Sequence, residues 1–263
     1  MKNSYCSFLQ HNPVTNKIQR RRLGDFRVLL FASMLLPWTA FAEEPLKEPS
    51  KDKYNGNVEV GFINTGGNTQ AQTLNAKAKV VAEYDPWQQT LQLQALSSSD
   101  KKTTTAERYL AKLKTDYRFS KRSYAFGLLS YDNDRFSGYD YRASFTVGYG
   151  NRVIDEKQLL LELEGGPGFR SSKVTRDGTQ DEAILRLAGK LGWQVSASSK
   201  LEQNLSTEIG NDTTISQSST SLSTQVVGNL AMKISYSVQY ATPVPQGVKK
   251  QDTETSVTLV YNF

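Results

Sequence analysis

Residues 72–84 alternate between apolar and polar side chains. Leu74, Ala76, Ala78, Val80, Ala82 and Tyr84 fall on one face. Thr73, Asn75, Lys77, Lys79 and Glu83 fall on the other, with Val81 among them. A helical spacing would mix Lys77 and Lys79 among the apolar positions, whereas a period of two separates them, so the segment reads as a β-strand. Asp85-Pro86 ends it. The same alternation places Leu91, Leu93 and Ala95 on one face, then Tyr109, Ala111, Leu113, Tyr117 and Phe119. It recurs at Tyr141 to Tyr149, Leu159 to Leu163, Ala183 to Trp193 and Leu230 to Tyr240. Less regular strands fit Val58 to Ile63, Tyr124 to Tyr131, Leu201 to Ile209 and Ser219 to Val227, and a last one covers Thr253 to Phe263. The count is about twelve, at about 17 residues per strand and turn, which suits the tilted strands of a membrane barrel.

A soluble β-sandwich shows the same alternation. Three features favour lipid. The apolar faces run long enough to cross a hydrocarbon band about 25 Å tall. Aromatics gather at strand ends, at Tyr84, Trp87, Tyr117, Phe119, Tyr149 and Trp193, as interfacial girdles do. Finally, Val257, Leu259, Tyr261 and Phe263 alternate up to a terminal aromatic, the kind of C-terminal signature that outer-membrane assembly machinery receives. The expected fold is an all-β, transmembrane, antiparallel up-and-down β-barrel over residues 56–263. With a periplasmic N-terminus, the periplasmic turns are short, such as Asp85-Pro86 and Gly228-Asn229. The extracellular loops at 98–104, 133–140, 171–180 and 242–252 are expected to be longer.

Residues 1–42 read as a cleavable signal peptide. Arg20, Arg21, Arg22 and Arg27 precede the apolar run Val28 to Leu36. Ala40-Phe41-Ala42 then supplies a small-x-small cleavage site before Glu43. Residues 43–55 are charged and Pro-containing, a flexible leader.

Removing the signal changes the chemistry. The formal charge is +6 for the whole chain, but from Glu43 onward there are 26 basic and 25 acidic residues. The basicity belongs to the export signal, and no nucleic-acid partner is expected. Cys6 and His11 also leave, so no thiol nucleophile, Cys/His zinc site or Ser-His catalysis is available. The chain is not expected to be an enzyme, and neither cofactor nor metal is expected. Asp132 and Asp134 near Arg135 could support acid–base chemistry or Ca²⁺ binding, but read more simply as a solvated loop. Gly165, Gly166 and Gly168 around Pro167 lack the spacing of a phosphate loop and read as a bend or bulge in the wall.

Several stretches resemble the bacterial family of salt-induced outer-membrane proteins, a domain of unknown function. They are GNVEVGFINTGGNT (56–69), YDNDRFSGYDYRASFTVGYG (131–150), LLELEGGPGFR (160–170) and VTLVYNF (257–263). The resemblance covers about residues 54–263. It implies a barrel in the bacterial outer membrane and a link to salt or envelope stress. It assigns no role to any residue.

If the apolar faces meet lipid, the polar faces line the lumen. The pore-lining candidates are Lys77, Lys79, Arg108, Lys112, Lys114, Arg118, Glu162, Glu164, Arg186 and Lys190. Basic residues concentrate on the second and fourth strands and acidic ones on the seventh and ninth, which predicts a field across the lumen. One functional expectation is a narrow channel for small polar or ionic solutes. The alternative is a closed barrel, filled by ion pairs, that supports the envelope through lipopolysaccharide or a protein partner. A soluble periplasmic β-protein is the third.

Overall fold

The computed structural model describes residues 53–66, 72–100, 103–134, 137–175, 178–244 and 248–263. The expected cleavage site at Ala40, Ala42 and Glu43 lies outside them, as does Arg135.

Twelve antiparallel strands close into one barrel. They are β1 (Lys53–Gly66), β2 (Gln72–Tyr84), β3 (Trp87–Asp100), β4 (Thr103–Arg118), β5 (Ser123–Asp134) and β6 (Tyr139–Asp155), followed by β7 (Leu159–Val174), β8 (Gly178–Gln194), β9 (Ser199–Gly210), β10 (Thr214–Val227), β11 (Leu230–Thr242) and β12 (Gln251–Asn262). Each pairs with its sequence neighbours, and β1 pairs with β12. Closure leaves no free sheet edge, the condition for placing strand backbone in lipid. At the seam the Gly56 and Phe263 amides each donate to the other's carbonyl at 2.9 Å. A Cβ on Gly56 would lie 2.7 Å from Cζ of Phe263. The terminal ring therefore covers the glycine where the barrel closes.

The outer wall is apolar. Val58, Leu91, Leu113, Val147, Leu187, Ile234 and Leu259 all point outward and are exposed. In water such a surface would be untenable on a monomer, so lipid is its solvent. Aromatics edge this belt. Near the chain termini Trp87 packs on Tyr117 with ring centroids 4.9 Å apart, and Phe119 lies 6.1 Å from Tyr149. Towards the other end Tyr131 stacks on Tyr141 at 6.1 Å. On β4 the two edges are marked by Tyr117 and Tyr109. Along a strand tilted by about 40° they are separated by roughly 20 Å of height, close to the thickness of an outer-membrane belt. The chain is thus an outer-membrane β-barrel.

The belt is interrupted on β9 and β10. Gln203, Thr207, Ser216, Ser218 and Thr220 occupy outward positions and bond to one another across the strands. Gln203 donates to Ser218 at 3.0 Å, Thr207 and Ser216 are 3.1 Å apart, and Thr220 donates to Gln203. This is why β10 alternates weakly in sequence: both of its faces are polar.

Three expectations change. β1 starts at Lys53, which pairs with Glu83, so the wall begins before Gly56. The stretches 98–104 and 171–180 are mostly strand, because β3 runs to Asp100, β4 starts at Thr103, β7 ends at Val174 and β8 starts at Gly178. Beyond the lipid band both strand faces meet water, so apolar alternation stops while pairing continues. Finally, Gly165 to Gly168 form no bulge. They pair in unbroken register with Leu187 to Ile184. The β6–β7 irregularities lie instead between Tyr139 and Tyr141 and between Arg152 and Ile154. The glycines allow close approach: a Cβ on Gly166 would sit 2.0 Å from the Val147 carbonyl oxygen.

Candidate functional site: the barrel lumen

Alternation sends one side chain in two into the lumen. On β2 and β4 these include the long cations Lys77, Lys79, Lys112, Lys114 and Arg118, because positions that face the lumen, unlike those that face lipid, are free to be charged. β5 departs from the rule. Tyr124, Phe126 and Leu128 point inward and form a buried apolar patch. Tyr124 and Phe126 pair with Gly150 and Gly148, and a Cβ on Gly150 would lie 2.3 Å from the Tyr124 ring. Glycine on β6 makes room for the rings on β5. With apolar residues on both faces, β5 shows only weak alternation.

The lumen has two unequal halves. The half towards the termini, periplasmic in an outer-membrane barrel, holds a cavity of about 1000 Å³. Lys77, Lys79, Lys112, Lys114, Arg118, Glu162, Glu164, Arg186 and Lys190 all line it. So do Arg152 and Tyr124, which sequence analysis did not single out. In all, ten cationic side chains and five carboxylates face this cavity.

Several of these charges are paired. Lys114 contacts Asp116 at 2.9 Å and reaches Glu164 on β7 at 2.5 Å, and Glu164 also accepts from Tyr124 at 2.8 Å and pairs with Arg186 at 3.2 Å. The Lys114 ammonium lies 4.8 Å from the centre of the Tyr124 ring. Glu162 pairs with Arg152 at 3.0 Å and with Lys190 at 3.9 Å. Lys233 meets Glu59 at 2.9 Å, and Lys77 meets Glu254 at 3.4 Å.

Towards the extracellular end, among the described residues, the space beside Leu110, Lys112, Asp132, Arg142, Arg170 and Glu208 is tight, about 50 Å³. Arg108 grips Asp132 with two hydrogen bonds, at 3.0 and 2.8 Å, and Arg142 reaches the same carboxylate at 3.3 Å. Arg108 lines neither space; its guanidinium is committed to this pair. Arg170 is 1% exposed. It donates to Glu182 at 3.0 and 2.7 Å, to Glu208 at 3.1 Å and to the Thr213 carbonyl. Glu182 in turn accepts from the amides of Asp212 at 2.9 Å and Thr213 at 3.2 Å. Arg170 thereby ties the β9–β10 turn to the inner wall. The three guanidiniums and three carboxylates of these two clusters balance, whereas the described lining of the periplasmic cavity has a cationic excess.

Two sequence readings are corrected by this arrangement. Asp132 is not in a solvated rim loop; it sits within β5, buried between two arginines, and is not available for acid–base work. The expected field across the lumen is weakened, because Glu162 and Glu164 on β7 are answered by Arg152 and Lys190 and by Lys114 and Arg186. The main charge asymmetry runs along the axis. Among the described residues, no group of three or more His, Cys, Asp or Glu side chains is arranged to hold a metal ion.

Comparison with known proteins agrees with this architecture. Uncharacterized protein YdiY of Escherichia coli (strain K12) is 25% identical over 243 residues, covering 90% of this chain and 96% of that protein. Among solved structures, the NanC porin superposes with a TM-score of 0.55 at 8% identity, covering 78% of this chain and 98% of the porin. The KdgM porin in complex with disordered oligogalacturonate gives 0.47 at 10% identity, covering 79% of this chain and 99% of that one. At 8% identity the likeness to the NanC porin concerns the fold alone. A family match over residues 58–263, essentially the whole barrel, settles the relationship: the chain belongs to the family described as Protein of unknown function, DUF481.

Proposed function

We propose that the barrel is a narrow outer-membrane channel for small polar and ionic solutes, favouring anions, with no bond-breaking chemistry of its own. The observation that carries this reading is the cationic excess of the periplasmic cavity, ten basic side chains against five carboxylates. From Glu43 onward the whole chain is nearly neutral, so this excess is a placement and not a composition effect. A cavity with low-dielectric walls focuses such a field and concentrates counter-ions. The pairs Arg108–Asp132 and Arg170–Glu208 form the constriction towards the outside and limit solute size.

That constriction also supports a second reading, in which the barrel is closed and serves envelope integrity through lipopolysaccharide or a protein partner. Liposome swelling separates the two. Proteoliposomes of the folded chain placed in isosmotic arabinose swell faster than empty ones if the lumen conducts. Equal rates, from protein shown to be folded by heat-dependent gel migration, would refute the channel.

Export and assembly complete the proposal. The signal is removed between Ala42 and Glu43. The alternating face Val257, Leu259, Tyr261 and Phe263 is what the assembly machinery receives.

A further inference from the structure

Two lumen cations stand apart from the ion-pair networks. Among the described residues neither Lys79 on β2 nor Lys112 on β4 has a carboxylate within ion-pairing distance. Both line the periplasmic cavity, and Lys112 also borders the tight space. In a ring of twelve strands β2 lies diametrically opposite β8. β8 carries Arg186 and Lys190 into the same cavity. Lys190 thus stands on the wall across from Lys79, and Arg186 lines the same cavity as Lys112, which is four strands away round the ring. Arg186 and Lys190 have partial partners, Glu164 at 3.2 Å and Glu162 at 3.9 Å, which still leaves both cross-lumen pairs net positive.

Like charges held face to face in a semi-enclosed polar space are unfavourable unless something of opposite sign lies between them. Water does this poorly when the space is walled, and one chloride serves one pair. An anion with two or more negative groups serves both pairs at once, and its groups arrive together at the entropic cost of one molecule. Gln92, Asn204 and Ser206 line the same cavity and add neutral hydrogen-bonding groups. The volume, about 1000 Å³, exceeds what such an anion needs.

We propose that the periplasmic half of the lumen is a binding site for a small multivalent oxyanion, a phosphate compound or a polycarboxylate, bridged between Lys79 and Lys112 on one wall and Arg186 and Lys190 on the other. The site deepens the channel reading and requires that the lumen be reachable from solution. The phosphate and carboxylate sources share one recognition chemistry, clustered negative oxygens facing ammonium and guanidinium groups.

Isothermal titration of the detergent-folded chain tests it, with inorganic pyrophosphate and citrate as separate probes, at about 50 mM salt, where screening between lumen charges is weak. Saturable one-to-one binding of at least one probe is expected. Heat with pyrophosphate alone assigns the phosphate class, and heat with citrate alone the polycarboxylate class. Lys112→Gln and Lys79→Gln should each weaken binding about tenfold, the loss of one close charge contact. Lys157→Gln, on an exposed turn outside the cavity, should not. Absence of saturable binding by both probes overturns the site, as does an equal loss in Lys157→Gln. Single-channel recording keeps the two proposals distinct. Binding without conductance removes the channel and leaves the site, and conductance without binding does the reverse.

Discussion

Arg170 is the most informative side chain for what holds the lumen together. Arg170→Met keeps much of the side-chain volume and removes the charge. It strands Glu182, whose side chain is 3% exposed, and unpairs Glu208, which is 22% exposed. Breaking a buried pair by removing one partner costs about 3–5 kcal/mol, because the remaining charge is buried without compensation. Two features place this case at the lower end. Glu182 retains the amides of Asp212 and Thr213, and Glu208 is partly solvated. The expected loss is about 3 kcal/mol. The companion change Glu182→Gln removes the stranded charge while leaving an oxygen for those amides. Added to Arg170→Met, it should therefore restore at least about 1 kcal/mol, a non-additivity that contacting residues show and distant ones do not. Equilibrium urea unfolding in lipid vesicles, followed by fluorescence of Trp87 and Trp193 at the barrel surface, measures both values. A loss below about 1 kcal/mol for Arg170→Met, or simple additivity in the double variant, would refute the claim that this network fastens the extracellular half.

Charge reversal at Lys79 and Lys112 to Glu should move the reversal potential in a salt gradient towards cation preference, whereas Lys157→Glu should leave it in place; unchanged selectivity in both lumen variants contradicts the proposed role of the cationic cavity. Gly150→Val drives side-chain atoms into the Tyr124 ring, 2.3 Å from even a single added Cβ, and should abolish the heat-modifiable folded band on gels, while Gly127→Val, whose Cβ meets nothing within 4 Å, should fold. Leu187→Arg places a charge on the lipid-facing wall and should cost about 2–4 kcal/mol in vesicle unfolding if that residue sits at mid-membrane; a change near zero would place it outside the belt. Removal of Phe263 exposes Gly56 at the seam and deletes its two backbone bonds, so slower assembly into vesicles is expected, measured by the time course of the folded band.

Much of the barrel was legible because a two-sided wall writes itself into the sequence. Where one face meets lipid and the other a charged lumen, as at Leu74 to Tyr84, alternation alone gives strand, face and orientation. It faded where that contrast failed, at β5 with rings on the lumen side and at β10 with hydroxyls on the lipid side. The inward cations were readable one by one where they sit between apolar neighbours, as Lys77, Lys79, Lys112 and Arg186 do. Their pairing was not. Lys114 meets Glu164 only because β4 and β7, three strands apart round the ring, both turn these side chains into the lumen at one height, a relation that depends on strand number and register and leaves no local trace. For the same reason Asp132 read as a loop residue beside Asp134, although its partners Arg108 and Arg142 come from the two neighbouring strands. The axial difference in charge needed the register of all twelve strands.

The central claim is that this lumen conducts and does so with anion preference. Single-channel recording of the refolded barrel in a planar bilayer, under a potassium chloride gradient, tests it most directly. The account predicts discrete conductance steps with a reversal potential on the chloride side of zero. Silence from protein shown to be folded would contradict an open lumen, and steps with a reversal potential on the potassium side would contradict the role given to Lys79, Lys112 and the cationic cavity around them.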